Sequence, residues 1–291
     1  TMPSSVAMLT GCYSRTFTFD TRRVRRKDGE GTKRSFFFRV GGGIRLLAES
    51  LKDAGFETRA AVENGLVQQC NLLQGYRIIP RNPALSGESR SRLANELGFV
   101  ERTRAYAHQA GMLDFLLTLP REKTFAALVW FYDPHGPYDP APEFRRDIPI
   151  NVADLPRPES FYTTAGQREL RNLLQAGELS PAEISFLRGL YKAEVASVDE
   201  RVGYVLKALE KSGRIKDTLV VFTSDHGESL GEHQHFGHAR AVYQELVRVP
   251  LIFSGPGIPR GKREPAIVSH LDWSPTLREL MAMDAPKGTQ G

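Results

Sequence analysis

Cysteine is scarce in this sequence: Cys12 and Cys70 are the only two in 291 residues. They stand far apart with no Cys-x-x-Cys spacing, which argues against a disulfide-built scaffold and a zinc-thiolate site and leaves packing as their expected role. No run of about 18 apolar residues occurs, so no membrane-spanning helix is expected within this stretch. Internal repeats and low-complexity tracts are also lacking, which excludes a repeat architecture. No secretory leader is visible, and the compartment stays undetermined for a chain that opens on Thr1 rather than Met.

The charge balance is only mildly one-sided, at +5. An anionic small substrate and a nucleic acid both remain compatible with it, as does simple surface solubility. The 41% apolar fraction is ordinary for a globular chain and allows a substantial core, in one large α/β domain or two small ones.

What is present alternates along the chain. Pro3 predicts the first turn of a short helix through Ser4, Val6, Ala7, Met8 and Leu9, stopped at Gly11. The stretch from Thr21 to Arg34 is basic, with Arg22, Arg25 and Lys33 among its charges and no apolar period, and reads as a loop. Ile44, Leu47, Ala48 and Leu51 recur at helical spacing before Gly55, and Glu57 to Val62 reads as a strand. Another helix reaches about Leu119, after which the apolar run Thr124 to Phe131 predicts a strand covered on both faces. Residues 145–180 read as an irregular insertion. Ser180, Pro181 and Glu183 open a long helix whose apolar residues step by three or four until Gly213. Thr218 to Thr223 and Val249 to Phe253 are further buried-strand candidates. This alternation predicts an α/β fold with a mostly parallel central sheet and helices on both faces, in one domain over 1–291. In such sheets ligands gather at the carboxyl ends of the strands.

Chemistry-bearing residues crowd at those ends. Four of the seven histidines, His226, His233, His235 and His238, fall just after a predicted strand, together with Asp225, Glu228 and Glu232. An Asp and a His in sequence there can turn toward one ion, the carboxylate supplying charge and the imidazole a directional nitrogen. Two ligands fall short of the roughly six a hard cation prefers. A second constellation is Asp133-Pro134-His135-Gly136-Pro137-Tyr138, where the flanking prolines hold His135 in a direction suited to a proton donor or substrate contact, with a structural turn histidine as the competing reading. The third is Thr1-Met2-Pro3-Ser4-Ser5: a hydroxyl at a helix N-terminus faces an anion-binding end, although an ordinary N-cap threonine explains the same pattern.

In this order the three constellations resemble the sulfatase family of the alkaline phosphatase superfamily. The resemblance rests on Ser224-Asp225-His226-Gly227-Glu228, Gly231-Glu232-His233, Phe236-Gly237-His238 and Arg248-Val249-Pro250-Leu251-Ile252, and it extends to Leu51–Val62, Val198–Gly203 and Asp272–Leu277. It implies that Asp225, His226 and Thr1 contribute to one divalent metal ion, calcium, magnesium or manganese ahead of zinc. It further implies that His135 and His238 contact the anionic group or protonate the leaving oxygen, and that Thr1 is the nucleophile.

This sequence departs from the family pattern Cys-x-Pro-Ser-Arg, since Thr1 stands for the Cys and Ser5 for the Arg, so formylglycine formation is not expected. Related phosphoethanolamine and phosphoglycerol transferases use an unmodified threonine. His238 stands where many sulfatases have lysine. The family's first strand with its acidic pair, and its carboxy-terminal subdomain, have no counterpart here, and a fragment cut at both ends is the expectation. The resemblance therefore implies a metal-dependent hydrolase of anionic sulfate or phosphate esters, with no nucleic acid and no membrane segment. A phosphoryl-group transferase and an inactive sulfatase-like binding module are the alternatives.

Overall fold

The computed structural model describes residues 2–14, 19–25, 32–38, 40, 44–238 and 240–291. In chain order the elements are α1 (Met2–Thr10), β1 (Phe19–Arg25), β2 (Thr32–Phe38), α2 (Leu47–Asp53), β3 (Glu57–Val62), α3 (Gly65–Gln69), β4 (Arg77–Ile78), α4 (Gly87–Arg92), α5 (Arg104–Thr118) and β5 (Phe125–Trp130). They continue with α6 (Glu159–Thr164), α7 (Gln167–Gln175), α8 (Pro181–Lys211), β6 (Val220–Thr223), β7 (Ser229–Leu230), β8 (Phe236–Gly237), α9 (Gln244–Val247), β9 (Leu251–Ser254) and α10 (Trp273–Leu280). The chain gathers into two compact units, one of residues 1–79, 120–130 and 254–291, the other of residues 80–119 and 131–253.

In the first unit β3 is flanked by β4 and β5, both parallel to it, with Glu57 opposite Phe125 and Val62 opposite Trp130. This is the α/β arrangement the alternating pattern predicts. The core packs Val6 and Leu9 of α1 with Ala60 and Val62 of β3, Val67 and Cys70, and it places both thiols out of solvent. The basic stretch read as a loop instead contributes to an antiparallel ribbon, in which Thr21 pairs with Phe36 and Arg25 with Thr32. A two-stranded ribbon is closed by backbone bonds alone and requires no apolar period, so charge content was a poor guide to its conformation.

The second unit is organised by α8. Ser180 and Glu183 form the anticipated capping box, the Ser180 hydroxyl accepting from Glu183 N and the Glu183 carboxylate from Ser180 N. Glu183 is buried, and burial alone would raise its pKa. Hydrogen bonds from Ser180, Tyr162 and Arg157 outweigh that and hold it below the usual carboxylate value. Phe186, Leu187 and Leu190 bury the same helix against Tyr138, Tyr162, Leu170 and Phe236. Each such side chain contributes on the order of 1.5–3 kcal/mol of burial energy. Residues 145–180, read as irregular, contain α6 and α7; α7 carries Leu170, Leu173 and Leu174 at helical spacing, and these with Tyr162 of α6 pack into or against the core of this unit.

The apolar strand runs are less enclosed than their composition predicts. Ala127 of β5, Phe222 of β6 and Ile252 of β9 are exposed. Among the described residues β5 pairs only with β3 and β6 only with β9, which leaves each an edge strand.

Candidate active site

The chemistry-bearing residues of the second unit sit where β6 ends. Past Thr223 the chain turns sharply: the Ser224 hydroxyl donates to His226 O at 2.6 Å, and Asp225 Oδ1 accepts from His226 N at 3.1 Å. Gly227 then runs against another backbone segment, donating its N–H to Leu246 O at 2.8 Å; a Cβ at that position would stand 2.0 Å from Glu245 O. Only glycine permits that approach. The antiparallel pair β7 and β8, with Leu230 opposite Phe236, returns the chain so that His238 comes back beside His226.

Their ring centroids are 4.1 Å apart, and the His135 ring lies 5.0 Å from His238 on a T-shaped approach. Three imidazoles from two loops thus converge. His135 is held by its own turn, its N–H donating to Tyr132 O at 3.1 Å and its Nδ1–H to Gly136 O at 2.7 Å. The Tyr132 ring lies 4.5 Å from it and is itself exposed. Burial, with a smaller contribution from His238, lowers the pKa of His135 below the ordinary imidazole value. His226 is lowered as well, burial outweighing the opposing charge of Asp225.

Hydrogen bonding sets the tautomers. His226 Nδ1–H donates to Gly227 O at 2.8 Å, which leaves the lone pair on Nε2, the form in which imidazole ligates a cation. That Nε2 stands 3.5 Å from Asp225 Oδ2, so the two donors lie close enough to face one ion. They fit a cation as a partial donor set. Among the described residues no group of three or more His, Cys, Asp or Glu side chains is placed to hold a metal. Thr1, the third expected ligand and expected nucleophile, lies outside the described residues.

His233 and His235 do not join the cluster, although they share its stretch of sequence. His233 stacks on Tyr243 at 3.9 Å and approaches Glu245, and His235 is buried with an Nε2 that has no partner. Two residues not singled out for a role do join. His238 Nδ1–H donates to Glu228 Oε1 at 3.0 Å, and Gln167 Nε2 donates to Glu228 Oε2 at 2.9 Å. Glu228 is nearly enclosed, its side chain 5% exposed. Its place in the histidine-rich stretch was the available signal. Gln167 had none, since it lies 61 residues from Glu228 and nothing in its own helix points to that partner.

Two side chains of α8 hold the His135 turn. Arg201, fully buried, donates to Asp133 Oδ2 at 3.3 Å and lies 4.4 Å over the Phe131 ring. Glu194 accepts from Asp139 N at 2.8 Å. Burial, with the nearby charge of Asp133, pushes the Glu194 carboxyl up to about 8.

A model of the sulfatase family matches residues 1–283. Among curated proteins, a putative extracellular sulfatase Sulf-1 homolog of Caenorhabditis elegans is 29% identical over 170 residues, 57% of this chain and 24% of that protein. An N-acetylglucosamine-6-O-sulfatase of Bacteroides thetaiotaomicron is 40% identical over 102 residues, 35% of this chain and 18% of that protein. The matched stretches thus span about a quarter or less of these relatives. In fold the chain is similar to a phosphonate monoester hydrolase of Silicibacter pomeroyi, with a TM-score of 0.65 and 20% identity over 99% of this chain and 65% of the other.

Proposed function

The chain belongs to the sulfatase family of the alkaline phosphatase superfamily, and from that premise we propose that it carries the catalytic residues of a metal-dependent hydrolase of sulfuric or phosphoric esters. The observation that carries this reading is the convergence of His135, His226 and His238 beside Asp225 and Glu228 at the end of β6.

Asp225 and His226 would hold a divalent cation, calcium, magnesium or manganese ahead of zinc, which when bound neutralises charge on the anionic ester group. The Thr1 hydroxyl gives up its proton to solvent as its oxygen bonds to sulfur or phosphorus, the bond to the ester oxygen breaks, and water later releases the anion from Thr1. Support for Thr1 is its resemblance, within Thr1-Met2-Pro3-Ser4-Ser5, to the family's nucleophile position. His238 protonates the leaving oxygen from Nε2. Its Nδ1–H, donated to the Glu228 carboxylate, fixes the orientation of the ring so that Nε2 faces the substrate side. His135, its Nδ1–H held by Gly136 O, would contact the anionic group, or share in protonating the leaving oxygen, by donating from a protonated Nε2.

The test is an assay of the full-length protein on aryl sulfate, phosphate monoester, phosphodiester and phosphonate substrates, with and without chelator. Turnover of at least one, abolished by chelator and by Thr1→Ala, is the expected result. No chelator-sensitive turnover of any of the four would overturn the reading. Activity retained in Thr1→Ala would remove Thr1 as nucleophile and leave the rest.

A further inference from the structure

The buried guanidinium of Arg201 has Asp133, and that of Arg278 donates to Ser50 Oγ, Asp284 O and Arg45 O, although its Nε is enclosed without a partner. Arg171 on α7 has fewer acceptors. It is 8% exposed, yet its hydrogen bonding consists of Nη1 donating to Phe236 O at 3.3 Å, and among the described residues no carboxylate pairs with it. A guanidinium offers five N–H donors, so most of this one is unspent. None of its nitrogens is among the fully enclosed atoms without partners, so its unbonded edge still reaches solvent.

The surroundings add positive charge. Arg168 and Arg240, both exposed, are close enough that, after burial, their charges are what lower the Arg171 pKa. Arg171 and Arg240 together act in the same direction on His235, whose enclosed Nε2 lacks a partner. Of the two carboxylates that act on His235, Glu228 is already engaged by Gln167 and His238, and Glu245 accepts from Ser229 and lies near His233. One anionic group at the solvent-reaching edge of Arg171 would take up the donors that Phe236 O leaves unspent.

The position gives this cluster a purpose. Arg171 follows Gln167 by four residues, which places both on the same face of α7, roughly 6 Å apart along the helix axis. Gln167 packs on Gly237 and touches Glu228 and His238, while Arg171 reaches Phe236 O, so β8 separates the two positions by a single residue. We propose that Arg171, with Arg168 and Arg240, forms a second anion subsite next to His238, and that the substrate is an ester bearing a further sulfate, phosphate or carboxylate on the same small scaffold. This rests on the reading of the His238 cluster as an ester-cleaving site. The first anionic group is the one cleaved, and the second anchors and orients it through charge-assisted bidentate hydrogen bonds.

The experiment is calorimetric titration of the full-length protein with two matched pairs: glucose 6-sulfate against glucose 3,6-disulfate, and glycerol 1-phosphate against glycerol 1,3-bisphosphate. In at least one pair the doubly anionic compound binds about tenfold tighter. The Arg168→Ala/Arg240→Ala variant, altered only at exposed positions, brings that ratio to one and keeps the affinity for the singly anionic partner. A ratio of one in both pairs for the unaltered protein, or a ratio that the variant retains, overturns the proposal. Turnover measured in parallel separates it from the hydrolase reading. An arginine-dependent preference without cleavage sinks the hydrolase and leaves the subsite, while cleavage without preference sinks the subsite alone.

Discussion

Glu194 and Arg201 stand seven residues apart on one face of α8, and each grips one end of the turn that carries His135, Arg201 at Asp133 and Glu194 at Asp139. Seven residues are close to two full helical turns, so a single rigid helix sets the position of both ends. His135 is therefore placed by a helix that contributes no side chain to the histidine cluster.

Glu194 gives that grip a pH dependence. Its carboxyl is pushed from 4.5 up to about 8, so the folded protein keeps a proton that the unfolded chain releases. The stabilisation is complete below about pH 4.5 and is lost progressively as pH rises to about 8. Thermal midpoints taken from pH 5 to 9 should fall with rising pH in the unaltered protein and fall less in Glu194→Gln. Parallel profiles would show that Glu194 does not titrate in this way.

Asp133→Asn should destabilise the fold by about 3 kcal/mol, because it removes the Asp133 charge from its contact with the fully buried Arg201. Equilibrium denaturation measures this directly. A loss near zero would mean that Ala105 O and Gln109, which also accept from Arg201, suffice for it.

Glu228→Gln keeps a hydrogen-bond acceptor for His238 Nδ1–H but removes the negative charge. On whichever ester the enzyme cleaves, kcat should fall on the order of 100-fold with KM little changed. An unchanged kcat would mean that His238 does not handle a proton in the rate-limiting step.

Gly237→Ala tests the α7 contact. Gly237 has φ +90, and an added Cβ would stand 2.7 Å from Gln167 Oε1 and 2.9 Å from Gln167 Cβ. The strain should cost roughly 1–3 kcal/mol, and kcat should drop as far as it does in Gln167→Ala, since both changes release Glu228 from its amide. A Gly237→Ala protein with full stability and activity would refute the close packing of α7 on β8.

How much of this was legible from residues alone follows from where each signal lies. β3 and α8 were readable because periodicity and end signals agree within one segment, as in the Ser180–Glu183 capping box. The nearness of His226 to His238 was suggested by crowding, but the exclusion of His233 and His235 was not, since it depends on a hairpin that directs alternate residues elsewhere. Gln167 and Glu194 carried no local signal, and Arg201 had only its place in the Val198–Gly203 stretch of the resemblance. Their partners are 61, 55 and 68 residues away, distances over which no pattern within a single element operates.

The two cysteines have a practical consequence. Both belong to the core of the first unit, and burial raises both thiols above their usual value, the Thr10 hydrogen bond to Cys12 offsetting only part of this. Neither supplies appreciable thiolate near neutral pH, so reaction with a thiol reagent waits until that core opens. The labelling rate of the unaltered protein is thus a clock for opening of the first unit, and because the second contains no cysteine, the clock does not register motions around the histidine cluster.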